Sequence, residues 1–142
     1  MREIKFRAKV KYNGNHYLAG EWVFGHYHQN ENGVHLIFDN EDNYIENIGD
    51  FTAYTDVEID ETTLDQYTGL KDKNGKEIYE GDKIKYQDRD YSEVFGQGDV
   101  YYDGDDCMFK IRCNNVILFF MNLLGEELEV IGNIHDKENK NV

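Results

Sequence analysis

The chain opens with alternating apolar and basic side chains, Ile4-Lys5-Phe6-Arg7-Ala8-Lys9-Val10-Lys11. Successive side chains of a β-strand point to opposite faces, so this run predicts a strand with its apolar residues on a core and its basic residues in water. The same period of two recurs along most of the chain, and no long stretch has the period of 3.6 that is typical of an amphipathic helix. We therefore predict an all-β fold.

Turn-forming residues separate the predicted strands. Asn30-Glu31-Asn32-Gly33 lies between two β-prone runs and predicts a hairpin, and Asp103-Gly104-Asp105-Asp106 predicts another. Residues 61–67 leave two possibilities open, a short helical turn or a crossing segment. Residues 116–124 suit a helix or a strand, and their β-branched and aromatic content favours a strand. The other predicted strands are 4–11, 21–29, 34–39, 44–48, 51–59, 82–86, 93–102 and 107–112, and residues 128–134 close the ordered part.

A charged, turn-forming segment without apolar side chains, residues 71–76, divides the chain. We predict an acidic, β-rich unit in residues 1–66, arranged as a meander, and a second β unit in residues 67–135. Residues 136–142 form a polar tail that should fray. Strands at such short spacing are typical of meanders that close into small barrels or sandwiches.

The formal net charge is -14, from 29 acidic and 15 basic side chains. No Lys or Arg occurs between Lys11 and Lys71, an interval that holds twelve Asp and Glu residues from Glu21 to Asp65. This charge repels phosphate backbones and anionic lipids, so it disfavours direct nucleic-acid binding. Two interpretations stay open: a solvated face that keeps the chain soluble, or an acidic surface that binds a basic partner, including by mimicry of DNA.

The longest apolar run, residues 116–121, is too short to cross a bilayer. The N-terminus lacks the order of charges of a secretory signal, so we expect a cytoplasmic protein with no membrane association. Cys107 and Cys113 would lie on one face of one strand, about 20 Å apart, which is too far for a disulfide. We expect two reduced, partly buried thiols.

Several side-chain groups could carry chemistry. His26 and His28 share a strand face, and His16 or His35 could complete a three-nitrogen metal site, but nothing in the sequence fixes the strand pairing. Residues 39–46 and 103–106 lack the ligand spacing of a calcium loop, so we expect turns there. Cys107 could act as a nucleophile with His135, but its alternating surroundings favour a core position. We therefore predict no metal, no cofactor and no enzymatic activity.

Aromatic and basic side chains in the second half suggest a binding surface instead. A stacking platform could form from Tyr86, Tyr91, Tyr101 and Tyr102. Together with basic side chains, such a platform would suit a nucleic acid, which makes nucleic-acid binding an alternative function. The basic residues concerned are those of the N-terminal strand together with Lys71, Lys73, Lys76, Lys83 and Lys85.

Two segments, residues 66–82 (QYTGLKDKNGKEIYEGD) and residues 129–134 (EVIGNI), resemble the YopX-like family of phage and prophage proteins. The opening residues 4–8 (IKFRA) are also similar to the start of that family. The resemblance implies a gene carried by a phage or prophage of a Gram-positive host, and an all-β fold with a small SH3-like barrel in the C-terminal half. It implies no established biochemical activity, and no catalytic residue carries over.

These observations lead to a functional expectation. We expect a non-enzymatic phage or prophage accessory protein that binds a host or phage protein through its acidic surface or a barrel face. The alternatives are a nucleic-acid-binding module and an acidic, DNA-mimicking inhibitor of a host protein. Exposed strand edges make a homo-oligomer possible.

Overall fold

The computed structural model describes residues 3–14, 16–45, 49–87, 95–113, 116–120 and 127–136. This part of the chain contains no α-helix, which confirms the predicted all-β fold. The chain divides into two compact units, Met1–Gln66 and Tyr67–Val142, called here the N-terminal and C-terminal units. The strands are β1 (Phe6–Val10), β2 (Trp22–Gln29), β3 (His35–Ile45), β4 (Gly49–Lys71), β5 (Glu77–Tyr79), β6 (Asp82–Gln87), β7 (Phe95–Asp103), β8 (Met108–Cys113), β9 (Val116–Phe119) and β10 (Leu128–Asn133).

The N-terminal unit is an antiparallel meander that closes on itself. β2 pairs with β1 and with β3, and β3 pairs with β4, which also pairs back with β1. The predicted hairpin across residues 30–33 is thereby confirmed. Two predicted strands, 34–39 and 44–48, are wrong as separate elements because β3 runs without interruption from His35 to Ile45. The turn predicted at residues 39–46 is wrong for the same reason, as far as Ile45.

Residues 61–67 belong to β4 and form neither a helical turn nor a crossing segment. The pairing of β4 with β1 shifts here, because Lys9 lies opposite Asp60 whereas Arg7 lies opposite Asp65. The hydroxyl of Thr63 supports this bulge: it accepts the Lys9 backbone N–H at 2.8 Å and donates to the Asp60 carbonyl at 2.6 Å. A bulge of this kind bends a strand and helps a small sheet to close.

The core of the N-terminal unit consists of the apolar side chains that the alternation places inward: Ala8, Val10, Val23, Ile37, Val57 and Ile59. Phe6 and Leu64 pack against it from partly exposed positions. The prediction that all basic residues of β1 lie in water is wrong for Arg7, which is buried and ion-paired with Asp65.

In the C-terminal unit, the last residues of β4 pair with β5, and five further strands form an antiparallel sheet in the order β10-β6-β7-β8-β9. The β7–β8 pairing confirms the hairpin predicted across residues 103–106. β9 confirms the strand that we favoured, as far as Phe119. The core of the C-terminal unit contains Ile78, Ile84, Tyr86, Val100, Ile111 and Leu128. The SH3-like form of this unit stays a prediction, and the predicted tail after Asp136 lies outside the described residues.

Candidate functional site

A cleft of about 300 Å³ lies in the N-terminal unit, between the end of β1, the connection that follows it and the middle of β4. This volume is at the lower end of the range of ligand-binding clefts, about 300–1,000 Å³. The cleft combines two tyrosines, a histidine and two carboxylates with an apolar floor. Its lining residues are Val10, Tyr12, Gly14, His16, Tyr17, Asp56, Val57 and Glu58.

Local hydrogen bonds fold the connection between β1 and β2 back over the end of the sheet. The Gly14 N–H donates to the Tyr17 carbonyl at 2.8 Å, and the Ala19 N–H donates to the Asn13 side-chain oxygen at 2.9 Å. The Tyr17 hydroxyl donates to the Asp39 carboxylate, and the Tyr17 ring packs against the core. One wall of the cleft is therefore held by contacts at both ends of the Tyr17 side chain.

The opposite wall carries negative charge. Asp56 and Glu58 alternate with the buried Val57 on β4, so both carboxylates point away from the core. The Glu58 carboxylate lies 3.7 Å from the Lys11 ammonium, which in turn lies 5.5 Å from the centre of the Tyr12 ring. Asp56 lies 3.5 Å from His28. An arrangement of tyrosine rings beside carboxylates can hold a cation.

The structure does not assemble the three-nitrogen site considered from the sequence. His26 is exposed, and His28 contacts Asp56. His35 instead stacks on the Tyr27 ring at 5.9 Å and lies 2.6 Å from both the Tyr27 hydroxyl and the Glu61 carboxylate. Across the residues that the structure describes, no group of three or more His, Cys, Asp or Glu side chains could hold a metal ion.

The prediction of one stacking platform is wrong, because Tyr86, Tyr101 and Tyr102 do not share an exposed face. Tyr86 is buried, and its hydrogen bond with Cys113, together with burial, raises the pKa of Tyr86 to about 12. Tyr101 and Tyr102 are neighbours on β7 and point to opposite faces, since the Tyr101 ring contacts Arg112 whereas the Tyr102 ring contacts Phe109. Tyr91 lies outside the described residues.

Lysines predicted to bind a nucleic acid lie beside acidic residues instead. Lys73 pairs with Glu129 at 3.2 Å. On β6, Lys83 lies opposite Asp99 and Lys85 lies opposite Glu129, so acidic residues flank both. These neighbours reduce the positive potential that a phosphate backbone would need.

Cys107 is not on a strand, contrary to our expectation. It lies exposed in the β7–β8 turn with a φ of 54°, and its thiol contacts the Gly104 carbonyl at 3.5 Å. A left-handed residue cannot continue the alternation that we assumed for residues 107–113. The predicted shared face and buried position are therefore wrong for Cys107, while Cys113 is partly buried on β8.

The turn between β7 and β8 contains a charged cluster that the sequence pattern does not indicate. The buried ammonium of Lys110 donates to Asp103 at 2.8 Å and to Asp106, and it lies 5.0 Å from the centre of the Phe119 ring. The hydrogen bonds that Lys110 donates to Asp103 and Asp106 raise the pKa of Lys110, and the bond accepted by Asp103 lowers the pKa of that carboxyl group. The acidic residues of this turn thus hold an internal lysine.

Asp72 is a second residue whose role the sequence pattern does not indicate. It is buried at the start of the turn between β4 and β5, within the segment 66–82 that resembles the YopX-like family. Its carboxylate accepts the backbone N–H groups of Asn74 (2.8 Å), Lys76 (2.9 Å) and Val130 (2.9 Å). Burial alone would raise the pKa of Asp72, but these donors outweigh it and hold the pKa below the ordinary value of 3.8. Asp72 therefore ties the turn to β10 and has a structural role.

Asp72→Asn should lower the free energy of unfolding at pH 7 by about 1–3 kcal/mol, because the amide cannot accept on both sides and leaves a buried donor unsatisfied. A lowered folded-state pKa means that ionised Asp72 stabilises fully above pH 3.8 and that this contribution is lost as the pH falls through the folded-state pKa. Urea unfolding followed by circular dichroism should therefore show a difference between parent and variant that shrinks below pH 3.8. A difference that is constant with pH would contradict this role.

Comparisons with known proteins agree with the fold. The YopX protein family model matches residues 5–140. The crystal structure of protein EF1440 from Enterococcus faecalis is similar, with 23% sequence identity, 95% of each chain covered and a TM-score of 0.56, which shows a shared fold. No curated protein matches this chain. Among the described residues, no helix is long and apolar enough to cross a membrane. Because the family model covers nearly the whole chain, the protein belongs to the YopX family.

Proposed function

We propose that this protein is a phage or prophage accessory protein that acts in the host cytoplasm by binding, without catalysis. Its N-terminal unit binds a basic segment of a host or phage protein. The phage origin rests on the resemblance of residues 66–82 and 129–134 to phage and prophage members of the family. The binding role rests on the chemistry of the cleft.

One observation carries this proposal: the cleft places Asp56 and Glu58 beside Tyr12 and Tyr17. Apart from Val10, its lining residues belong to the interval between Lys11 and Lys71, which holds twelve acidic residues and no Lys or Arg, so this interval carries a net negative charge, with Lys11 at the edge of the cleft. Such a field attracts a cationic partner and raises its rate of association. Tyrosines add contact area at small cost in side-chain entropy, which is why they are common in binding surfaces.

The same charge argues against a nucleic-acid partner. Phosphate contacts supply most of the affinity of non-specific nucleic-acid binding, and an acidic field opposes them. The basic residues of β6 face acidic neighbours on β7 and β10. The lysines of β6 therefore form no uninterrupted basic surface.

Fluorescence anisotropy with defined probes tests the proposal. We expect the whole protein to bind a labelled, unstructured peptide rich in Arg and Lys, and to bind it about ten-fold or more weakly when salt rises from about 50 to 500 mM. An acidic peptide of the same length and labelled single- or double-stranded oligonucleotides should not bind at the lower salt concentration. Binding of the oligonucleotides without binding of the basic peptide would overturn the proposal in favour of the nucleic-acid alternative.

A further inference from the structure

We infer that the cleft is a subsite for one arginine side chain of the basic partner, and that the chain's own Lys11 occupies its rim until the partner displaces it. This inference rests on the proposed function and specifies the contact that would give it selectivity. It requires that the cleft offer a ring for the cation, a carboxylate for its hydrogen bonds and room for a single side chain.

The ring is available. Tyr12, which follows β1, is 61% exposed. The Tyr17 ring forms one wall of the cleft, opposite Asp56 and Glu58, and the Tyr17 hydroxyl already donates to the Asp39 carboxylate. A cation that enters the cleft therefore meets one exposed ring and one ring whose orientation is fixed, which lowers the cost of ordering on binding.

A carboxylate of the cleft, that of Glu58, already pairs with a cation of the same chain. The Lys11 ammonium lies 3.7 Å from Glu58 and 5.5 Å from the centre of the Tyr12 ring. The two side chains of this ion pair are 49% and 37% exposed, respectively. Exposed pairs of this kind contribute only about 0–1 kcal/mol, so a better cation can replace Lys11.

Arginine suits the cleft better than lysine. Its guanidinium is planar, stacks on aromatic rings and donates two hydrogen bonds to one carboxylate. Among the described residues, the Cζ atoms of Arg112 and Arg7 lie 4.2 Å from the Tyr101 ring and 4.7 Å from the Trp22 ring. The ammonium groups of Lys110, Lys9 and Lys11 lie 5.0, 5.4 and 5.5 Å from the centres of their rings. A cleft of about 300 Å³ has room for one such side chain rather than for a folded element.

Isothermal titration calorimetry with a short Gly-Ser peptide that contains Arg, and with its Lys counterpart, tests the inference. We expect the Arg peptide to bind more tightly, and Glu58→Gln to weaken it about ten-fold because a charge-assisted hydrogen bond is lost. Tyr12→Ala should weaken it about three-fold through the lost cation–π contact. Glu31→Gln removes an exposed acid of the same unit outside the cleft and should change affinity less than about two-fold.

The change in peptide affinity caused by Lys11→Gln tests the displacement of Lys11 most directly. Lys11→Gln should strengthen binding of the Arg peptide about three-fold, because Glu58 no longer has an internal cation. Lys5→Gln removes the same charge elsewhere, beside Glu3, and should have a smaller effect. Equal losses for Glu58→Gln and Glu31→Gln, or equal gains for Lys11→Gln and Lys5→Gln, would overturn the subsite while the proposed function survives. No binding of basic peptides at all would overturn both.

Discussion

Asp65→Ala should lower the free energy of unfolding of the N-terminal unit by about 3–5 kcal/mol, the cost of leaving one member of a buried ion pair without its partner. Asp65 Oδ2 accepts a hydrogen bond from Arg7 Nε at 3.1 Å and lies 3.1 Å from Arg7 Nη2 in the ion pair. The two side chains are only 5% and 8% exposed. A guanidinium at this depth has little water to replace the lost carboxylate.

The single tryptophan of the chain, Trp22, reports on this pair directly. Its ring centre lies 4.7 Å from Arg7 Cζ, so urea unfolding of the N-terminal unit can be followed by its fluorescence. Glu31→Gln, which removes an exposed acidic charge, is the matched control and should change stability by less than about 0.5 kcal/mol. The double variant Arg7→Met/Asp65→Leu should recover most of the loss, since it leaves no buried charge. A loss below about 1 kcal/mol for Asp65→Ala would show that water reaches the pair.

Gly25→Ala should destabilise the N-terminal unit by about 3 kcal/mol or more, because β2 and β3 would have to separate. A Cβ atom at Gly25 would lie 2.1 Å from the Phe38 carbonyl oxygen and 3.2 Å from Ile37 Cγ2. The φ of 155° is also one that L-residues rarely adopt. A backbone oxygen cannot move aside as the end of a flexible side chain can, so the strain falls on the β2–β3 pairing.

The same fluorescence experiment measures this loss, with Gly14→Ala in the same unit as the matched control. A Cβ atom at Gly14 would meet only the Tyr17 carbonyl oxygen within 4 Å, at an ordinary contact distance of 3.9 Å. Gly14→Ala should therefore leave the midpoint of unfolding nearly unchanged. If Gly25→Ala also left it unchanged, the close approach of β2 to β3 at this position would be wrong.

The sequence allowed the strands to be predicted wherever a strand is long, alternating and bounded by turn residues. β1, the β2–β3 hairpin and the β7–β8 hairpin follow from the period of two and from Asn, Gly and Asp between the runs. β4 was harder because the bulge at residues 61–64 interrupts the alternation, and a bulge depends on the partner strand rather than on local sequence.

Long-range pairings account for the remaining errors. Arg7 and Asp65 are 58 residues apart, so the alternation of β1 predicts only an outward-facing Arg7 and not the carboxylate that buries it. His35 contacts Tyr27 and Glu61 across two neighbouring strands, away from His26 and His28. Both outcomes depend on strand register, which a single sequence does not specify.

The cleft, too, could be predicted from the sequence only in part. The sequence indicates an acidic N-terminal unit and aromatic residues in the connection after β1. It does not indicate that Glu58, of the twelve acidic residues in the interval, meets Lys11 and Tyr12. That juxtaposition follows from the closure of β4 onto β1, where the Lys11 N–H donates to the Glu58 carbonyl at 3.0 Å.

Nuclear magnetic resonance shows directly whether a basic partner binds at the acidic cleft. In ¹H–¹⁵N correlation spectra of the whole protein titrated with an arginine-containing peptide, the largest shifts should fall on the cleft residues, among them Tyr12, Tyr17 and Glu58. Saturating shifts confined to those residues are the result we predict. Shifts centred on the β6–β8 face around Lys83 and Arg112, or none at any peptide concentration, would show that the acidic cleft is not where a basic partner binds.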